Sequence, residues 1–379
     1  VPGGSFFLFG PRGTGKSTWL EDKFPDARFI DLLDDHMYRS LLARPETMRE
    51  IVLGTPRKET IVIDEVQRVP NVLSEIHKLM EEQKGLRCIL TGSSSRKLKQ
   101  SGIDLLAGRA IIRHLYPFIA AELKENFCLK DALSNGLIPL ILQSPNRRDS
   151  LEAYISLYLK EEVQAEGIVR NVGNFARFLE IMSFSHGQLL NLSEIARESE
   201  VKRHLVEEYV GIVEDLLIGY RIHPFLKRAK RIMVKSAKFY FFDPSIYSVL
   251  RPTGPLDRRE EVQGAGLEGL VLHHLLAWME YANVHGDVFF WRTKSGNEVD
   301  FVVYGNKTFF ALEVKHANTI RTKDLQGLKS FRQDYPEAKT MLLYLGNERL
   351  RKDSIHCLPC ETFLEAMTPN TDPFEVLGI

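Results

Sequence analysis

Two hydrophobic rhythms divide the chain. Ser5–Phe9, Thr60–Ile63 and Cys88–Thr91 are short unbroken apolar or β-branched runs, the pattern of strands buried on both faces of a parallel sheet. From about Pro117 to Ser185 the spacing shifts to three and four, as in Leu151, Tyr154, Ile155, Tyr158 and Leu159. That spacing predicts helices, punctuated at Gly136 and Pro139. Ser193 is expected to cap a short helix, Glu194 to Glu198. After a turn at Ser199, a longer helix puts Leu205, Tyr209, Ile212, Val213, Leu216 and Leu217 on one face. Two strand-like runs follow, Gly219–Pro224 and Lys238–Phe242, split by LKRAKRIMVKSAK. Pro252–Gly264 reads as a linker. Beyond it Leu267 opens a strongly apolar helix, followed by strands at Val288–Arg292, Glu298–Tyr304 and Thr308–Val314. A helix over Leu325–Gln333 and a strand at Thr340–Leu345 complete the pattern.

The strands and helices alternate in the first third, so the fold class is α/β, and 379 residues suffice for several domains. Lys+Arg and Asp+Glu are both 50, so net charge gives a nucleic-acid partner no support and only local patches would. Four cysteines, Cys88, Cys128, Cys357 and Cys360, are too few for a disulfide framework in a chain this long, which fits a cytoplasmic compartment. Cys357 and Cys360 form a lone CxxC without two further zinc ligands nearby. No apolar run approaches the ~20 residues of a membrane span, so no membrane partner is expected. Because residue 5 already enters a strand, the chain is expected to continue before residue 1.

Between the first apolar run and a helix from Thr18 to Lys23 lies Gly10-Pro11-Arg12-Gly13-Thr14-Gly15-Lys16-Ser17. This is strand, GxxxxGK[ST], helix. The glycines let backbone N–H groups face phosphate oxygens, and the helix N-terminus adds a favourable field. Lys16 would reach the β- and γ-phosphates of ATP, and the Ser17 hydroxyl would bind Mg²⁺, with Thr18 next to it. Asp64 and Glu65 end the second apolar run, where a parallel strand would deliver them beside the loop. Asp64 would complete the Mg²⁺ shell and Glu65 would polarise the attacking water. Thr91, Ser93 and Ser94, at the end of the third run, are candidates to sense the γ-phosphate, Ser93 being carried forward. Arg109, then Arg113, stand where an arginine finger would reach a neighbour's nucleotide, implying a homo-oligomer such as a hexameric ring. Arg170 and Arg177 are candidate second sensors.

The phrases FLFGPRGTGKST, IVIDEVQRVPNVL and ILTGSSSRKL resemble the AAA+ ATPases. They are similar in particular to bacterial and archaeal members that carry a C-terminal restriction-endonuclease-like domain of unknown function. The architecture this implies is an AAA+ P-loop core over 1–117 and a helical lid over 118–185. A winged helix over 186–251 and a restriction-endonuclease-like α/β domain over 252–379 follow. In the winged helix, Lys202, Arg203 and His204 open the recognition helix. Lys227, Arg228, Lys230, Arg231, Lys235 and Lys238 load the wing. These cations suit DNA phosphates, duplex or branched and with little sequence specificity. Glu207, Glu208, Glu214 and Asp215 on the same helix oppose that reading.

The α-β-β-β-α-β order of the last third resembles the PD-(D/E)xK nucleases. Glu268, Asp300, Glu313 and Lys315 match that motif, with Val299 where the proline of the family name would stand. Asp300 and Glu313 would hold Mg²⁺ at a scissile phosphate, and Lys315 shares a face with Glu313. The alternatives are metal or DNA binding without cleavage, and an internal ion pair. His273 and His274 are expected at the surface or in packing. Three functions therefore remain open: an ATPase that binds or remodels DNA, an ATP-gated metal-dependent endonuclease, and an ATP-controlled switch with a protein partner.

Overall fold

The computed structural model describes residues 2–54, 60–94, 96, 98, 106–159, 171–254, 259–369 and 371–379, and the chain divides into two compact units. Val1–Tyr116 and Asp215–Leu217 form the first. Its core is a five-stranded parallel sheet of β1 (Phe6–Phe9), β2 (Arg28–Asp31), β3 (Thr60–Asp64), β4 (Arg87–Gly92) and β5 (Ile111–His114). The order is β2-β3-β4-β1-β5. Every residue of β1 is buried, as is all of β3 and β4 beyond the first residue, which is why these strands read as unbroken apolar runs. On the helix Val72–Glu82, Val72, Leu73, Ile76 and Leu79 are buried. Because β4 lies between β1 and β3, the end of β4 falls between the glycine-rich loop and the Asp64-Glu65 pair.

Pro117–Glu214 and Ile218–Ile379 form the second unit. A nine-stranded sheet runs through it in the order β13-β14-β12-β11-β10-β9-β7-β8-β6. Its strands are β6 (Gln188–Leu189), β7 (Gly219–Pro224), β8 (Lys238–Phe241), β9 (Gly286–Arg292), β10 (Glu298–Gly305), β11 (Phe309–Lys315), β12 (Lys339–Tyr344), β13 (Leu350–Lys352) and β14 (Ile355–Pro359). β7 pairs with β9 through His223 and Phe289, so one sheet crosses the expected boundary at 251, and apart from Asp215–Leu217 the segments 118–185, 186–251 and 252–379 lie in one compact unit.

Several local expectations change. The helix expected from Glu194 runs over Leu192–Ser199, because the Asn191 side chain accepts the Glu194 N–H; Asn191 is the cap and Ser193 lies inside the helix. The apolar helix starts at Arg259, within the expected linker, and continues to Tyr281. His273 and His274 lie on it fully buried, not at the surface. Among the described residues no helix is long and apolar enough to cross a membrane.

Candidate nucleotide-binding site

Gly13 and Gly15 have φ of 77° and 84°, the left-handed region open to glycine at little cost. At Gly10 the limit is steric, since a Cβ would sit 2.3 Å from the Leu115 carbonyl oxygen. Thr14 Oγ1 donates to the Pro11 carbonyl at 2.8 Å, which closes the turn. Gly15 is the N-cap of the helix Lys16–Lys23. Lys16 is buried, and its Nζ donates to the carbonyls of Gly10 (2.8 Å) and Pro11 (3.2 Å). Its ammonium is thus held within the loop that a phosphate would enter. Arg12 and Thr18 are exposed at the loop and the first turn.

Ser17 Oγ donates to Asp64 Oδ2 at 2.5 Å. The other Asp64 oxygen accepts from Thr91 Oγ1, which in turn accepts the Glu65 N–H at 3.1 Å. The glycine-rich loop, the acid pair and the end of β4 therefore meet in one hydrogen-bonded chain. Glu65 has φ of 58°, an uncommon backbone for a residue with a side chain, and it turns the chain sharply after β3. Gln67 Nε2 donates to Glu65 Oε2 at 2.5 Å and to Ser93 Oγ at 3.2 Å. Sequence reasoning missed Gln67. Its signal was position alone, two residues past Glu65. The three candidates on β4 separate: Thr91 joins Asp64, Ser93 accepts from Gln67, and Ser94 Oγ accepts the Arg96 N–H. A hydroxyl and a carboxylate converging in this way suit a small hard cation with oxygen ligands, so Ser17 and Asp64 fit Mg²⁺.

The second unit gathers a different set. Lys315 Nζ donates to Glu313 Oε1 at 2.5 Å, and Tyr240 donates to Glu268 Oε2 at 3.1 Å. Asp300 Oδ2 accepts the Val314 N–H at 2.8 Å. Glu268, Asp300 and Glu313 are close enough to act on one another electrostatically. Burial first, then the Asp300 charge, pushes the Glu268 carboxyl up to about 8. The same two causes, in the same order, hold Glu313 well above the carboxylate range.

The basic segment is only partly available. Lys202, Arg203, His204, Lys227, Arg228, Lys230 and Lys235 are exposed, with Lys227 Nζ 4.2 Å over the Tyr304 ring. Arg231 is not a free wing cation: it pairs with Asp334 at 3.0 Å and donates to Ser330 Oγ at 2.6 Å. Lys238 is not one either, being 3% exposed. Glu207 and Glu208 are exposed on the helix Arg203–Asp215, whereas Glu214 is paired with Arg221.

Residues 4–124 match the family model described as AAA domain. That match spans nearly all of the first unit. Residues 126–257 and 263–363 match two models described as domains of unknown function, DUF8612 and DUF4143. The uncharacterized proteins Mb2031c of Mycobacterium bovis and Rv2008c of Mycobacterium tuberculosis are each 24% identical over 368 residues, 94% of this chain and 80% of theirs. Among solved structures, the replication initiator DnaA bound to AMPPCP and single-stranded DNA is 19% identical. It covers 56% of this chain and 82% of its own, with a TM-score of 0.28. A Signal Transduction ATPase with Numerous Domains from Pyrococcus horikoshii is 13% identical over 73% of this chain and 45% of its own, with a TM-score of 0.25. Superpositions this loose carry no functional argument.

Within the first unit, Arg109 donates to Glu81 at 2.8 Å and bonds His77, both on the helix Val72–Glu82. A role in a neighbour's site would require it to leave these partners. Arg113 lies half-buried on β5. In the second unit Arg177 pairs with Glu200, and Arg170 lies outside the described residues.

Proposed function

We propose that the chain is a Mg²⁺-dependent ATPase whose nucleotide cycle is coupled to DNA. The observation that carries the first half is the convergence of Lys16, Ser17, Asp64 and Glu65 at the carboxyl ends of β1 and β3. Lys16 would exchange its carbonyl partners for β- and γ-phosphate oxygens, which are better acceptors for an ammonium. Magnesium held by Ser17 and Asp64 would neutralise phosphate charge. Glu65 would accept the proton of the attacking water, with Gln67 fixing the direction of its carboxylate. Ser93, joined to Glu65 through Gln67, would then feel whether a γ-phosphate is present. Arg109, released from Glu81, would complete the site of an adjacent copy in an oligomer.

DNA contact is supported by the exposed cations Lys202, Arg203, Arg228 and Lys230. The exposed Glu207 and Glu208 on the same helix would repel phosphates and oppose that contact wherever they face the DNA. The test is ATP turnover of the full chain with and without duplex DNA, at low and moderate salt. Lys16→Ala should abolish turnover in all conditions; unchanged hydrolysis would refute the site. DNA should stimulate the wild type in a salt-sensitive way. An ATPase indifferent to DNA would favour a switch acting on a protein partner.

A further inference from the structure

Asp64 and Asp300 differ in what balances their charge. Asp64 meets two hydroxyls, Ser17 and Thr91. Asp300 meets a peptide N–H and an ammonium. β10 is irregular at this point: Val299 pairs with Trp291 and Val302 with Phe289, so Asp300 and Phe301 together oppose a single residue. Such a bulge re-aims a side chain. Here Asp300 Oδ2 accepts the Val314 N–H of the neighbouring strand, while Oδ1 lies 3.8 Å from Lys238 Nζ. Lys238 comes from β8, where it and Tyr240 point to the same face by strand alternation. Its ammonium is 2.5 Å from Glu298 Oε1, and its side chain is 3% exposed. Lysine is almost never buried this far unless it is paired.

The remaining acids also have partners inside the chain. Glu313 holds Lys315, and Glu268 accepts from Tyr240. Glu313 Oε2 is buried without a hydrogen-bond partner. Mg²⁺ and Mn²⁺ take several oxygen ligands at once. Among the described residues no group of three carboxylate, imidazole or thiol side chains is spaced to hold a metal ion. The residues that match the nuclease motif therefore do not fit a divalent metal as they stand.

We propose that Lys238 is the resident cation of this cluster, tying β8 to β10 and keeping a divalent metal ion away from Asp300 and Glu313. The ammonium supplies from within the chain the positive charge that a metal would bring. The domain built on β9–β12 then holds its shape by an internal ion network and does not perform metal-dependent phosphodiester cleavage. This inference does not rest on the ATPase reading, and the test removes the other acidic site.

The test is Mn²⁺ titration of the nucleotide-free full chain followed by electron paramagnetic resonance, in an Asp64→Asn background. Asp64→Asn is expected to bind no Mn²⁺ that the further change Asp300→Asn removes. A Mn²⁺ site present in the first and lost in the second overturns the proposal, whether or not any other variant folds. Lys238→Met is then added to Asp64→Asn. It is expected to lower the unfolding midpoint and to gain a Mn²⁺ site that Asp300→Asn abolishes. A folded Lys238→Met protein that gains no such site also overturns it, because something other than this ammonium would be excluding the metal. Should Lys238→Met fail to fold, Lys238→Gln takes its place with the same two outcomes.

Discussion

Ser17 and Asp64 are 47 positions apart in the chain and 2.5 Å apart in space, the hydroxyl donating to the carboxylate. The contact joins the first turn of the helix after β1 to the last residue of β3, across the end of β4. If the pair holds Mg²⁺, each member matters only when the metal is present. Ser17→Ala and Asp64→Asn should therefore weaken ATP binding in Mg²⁺ and leave it nearly unchanged in EDTA. Titration with a fluorescent ATP analogue in both buffers measures this. Equal weakening in EDTA would mean that the residues shape the loop and do not hold the ion.

Glu65 depends on a neighbour that no nucleotide motif names. Gln67 is buried, and its amide N–H₂ group spans from Glu65 to Ser93. Removing the carboxylate by Glu65→Gln should cost about 10²–10⁴ in turnover, the range for loss of a general base. Gln67→Ala should cost less, about tenfold, by letting the carboxylate drift, with the KM for ATP unchanged. Steady-state kinetics of both variants separate the roles. A Gln67→Ala protein that turns over at the wild-type rate would show that Glu65 needs no positioning.

Gly10 is constrained by space, whereas Gly13 and Gly15 are constrained by backbone angle. A methyl at position 10 meets the Leu115 carbonyl, which is backbone and yields little. Gly10→Ala should thus destabilise the first unit by about 1–3 kcal/mol, the range for overpacking, and weaken nucleotide binding with it. Chemical denaturation followed by nucleotide titration tests both. Full stability in Gly10→Ala would mean that β5 shifts easily from β1.

How much of this was legible depended on distance along the chain. The glycine-rich loop and the Asp64-Glu65 pair are local patterns that announce their partners. Gln67 could not be read, because its role arises only when β3 and β4 lie side by side. Lys238 was read as a wing cation because it ends a run of basic residues. Yet it also begins the strand KFYF, whose four residues are all buried, and a strand buried on both faces leaves its lysine no route to solvent. Arg231 was misread in the same way, since nothing in a basic segment says that Asp334 will face it. His273 and His274 sit in the apolar run LVLHHLL and were expected at the surface or in packing, since nothing in the run names a partner for either ring. Each instead meets a backbone group: His273 Nε2 lies 3.0 Å from the Phe118 carbonyl, and His274 Nε2 accepts the Ala120 N–H at 2.9 Å.

Those histidines make the stability of the second unit depend on pH. Burial lowers His186 to about 3, His273 to about 4 and His274 to about 3. An unfolded histidine titrates near ~6.5, so below that value the unfolded chain binds more protons than the folded one. Their stabilising contribution is complete above ~6.5 and is lost progressively as pH falls toward the folded values. Glu268 and Glu313 act in the opposite sense. Their folded values are raised, so their contribution is complete below the ordinary carboxylate value and is lost as pH rises, for Glu268 through about 8. Burial raises Glu122 and Asp243 as well, and they act in the same sense as Glu268 and Glu313. The histidines therefore pull the unfolding midpoint of the second unit down as pH falls below ~6.5, and Glu268 and Glu313 pull it down as pH rises above the ordinary carboxylate value. Thermal unfolding scanned from acid to alkaline pH measures it. A Glu268→Gln variant whose midpoint still falls as steeply between pH ~6 and ~9 would mean that Glu268 is already ionised in the folded protein, and a His274→Gln variant that still loses stability as steeply in acid would mean that this imidazole reaches water.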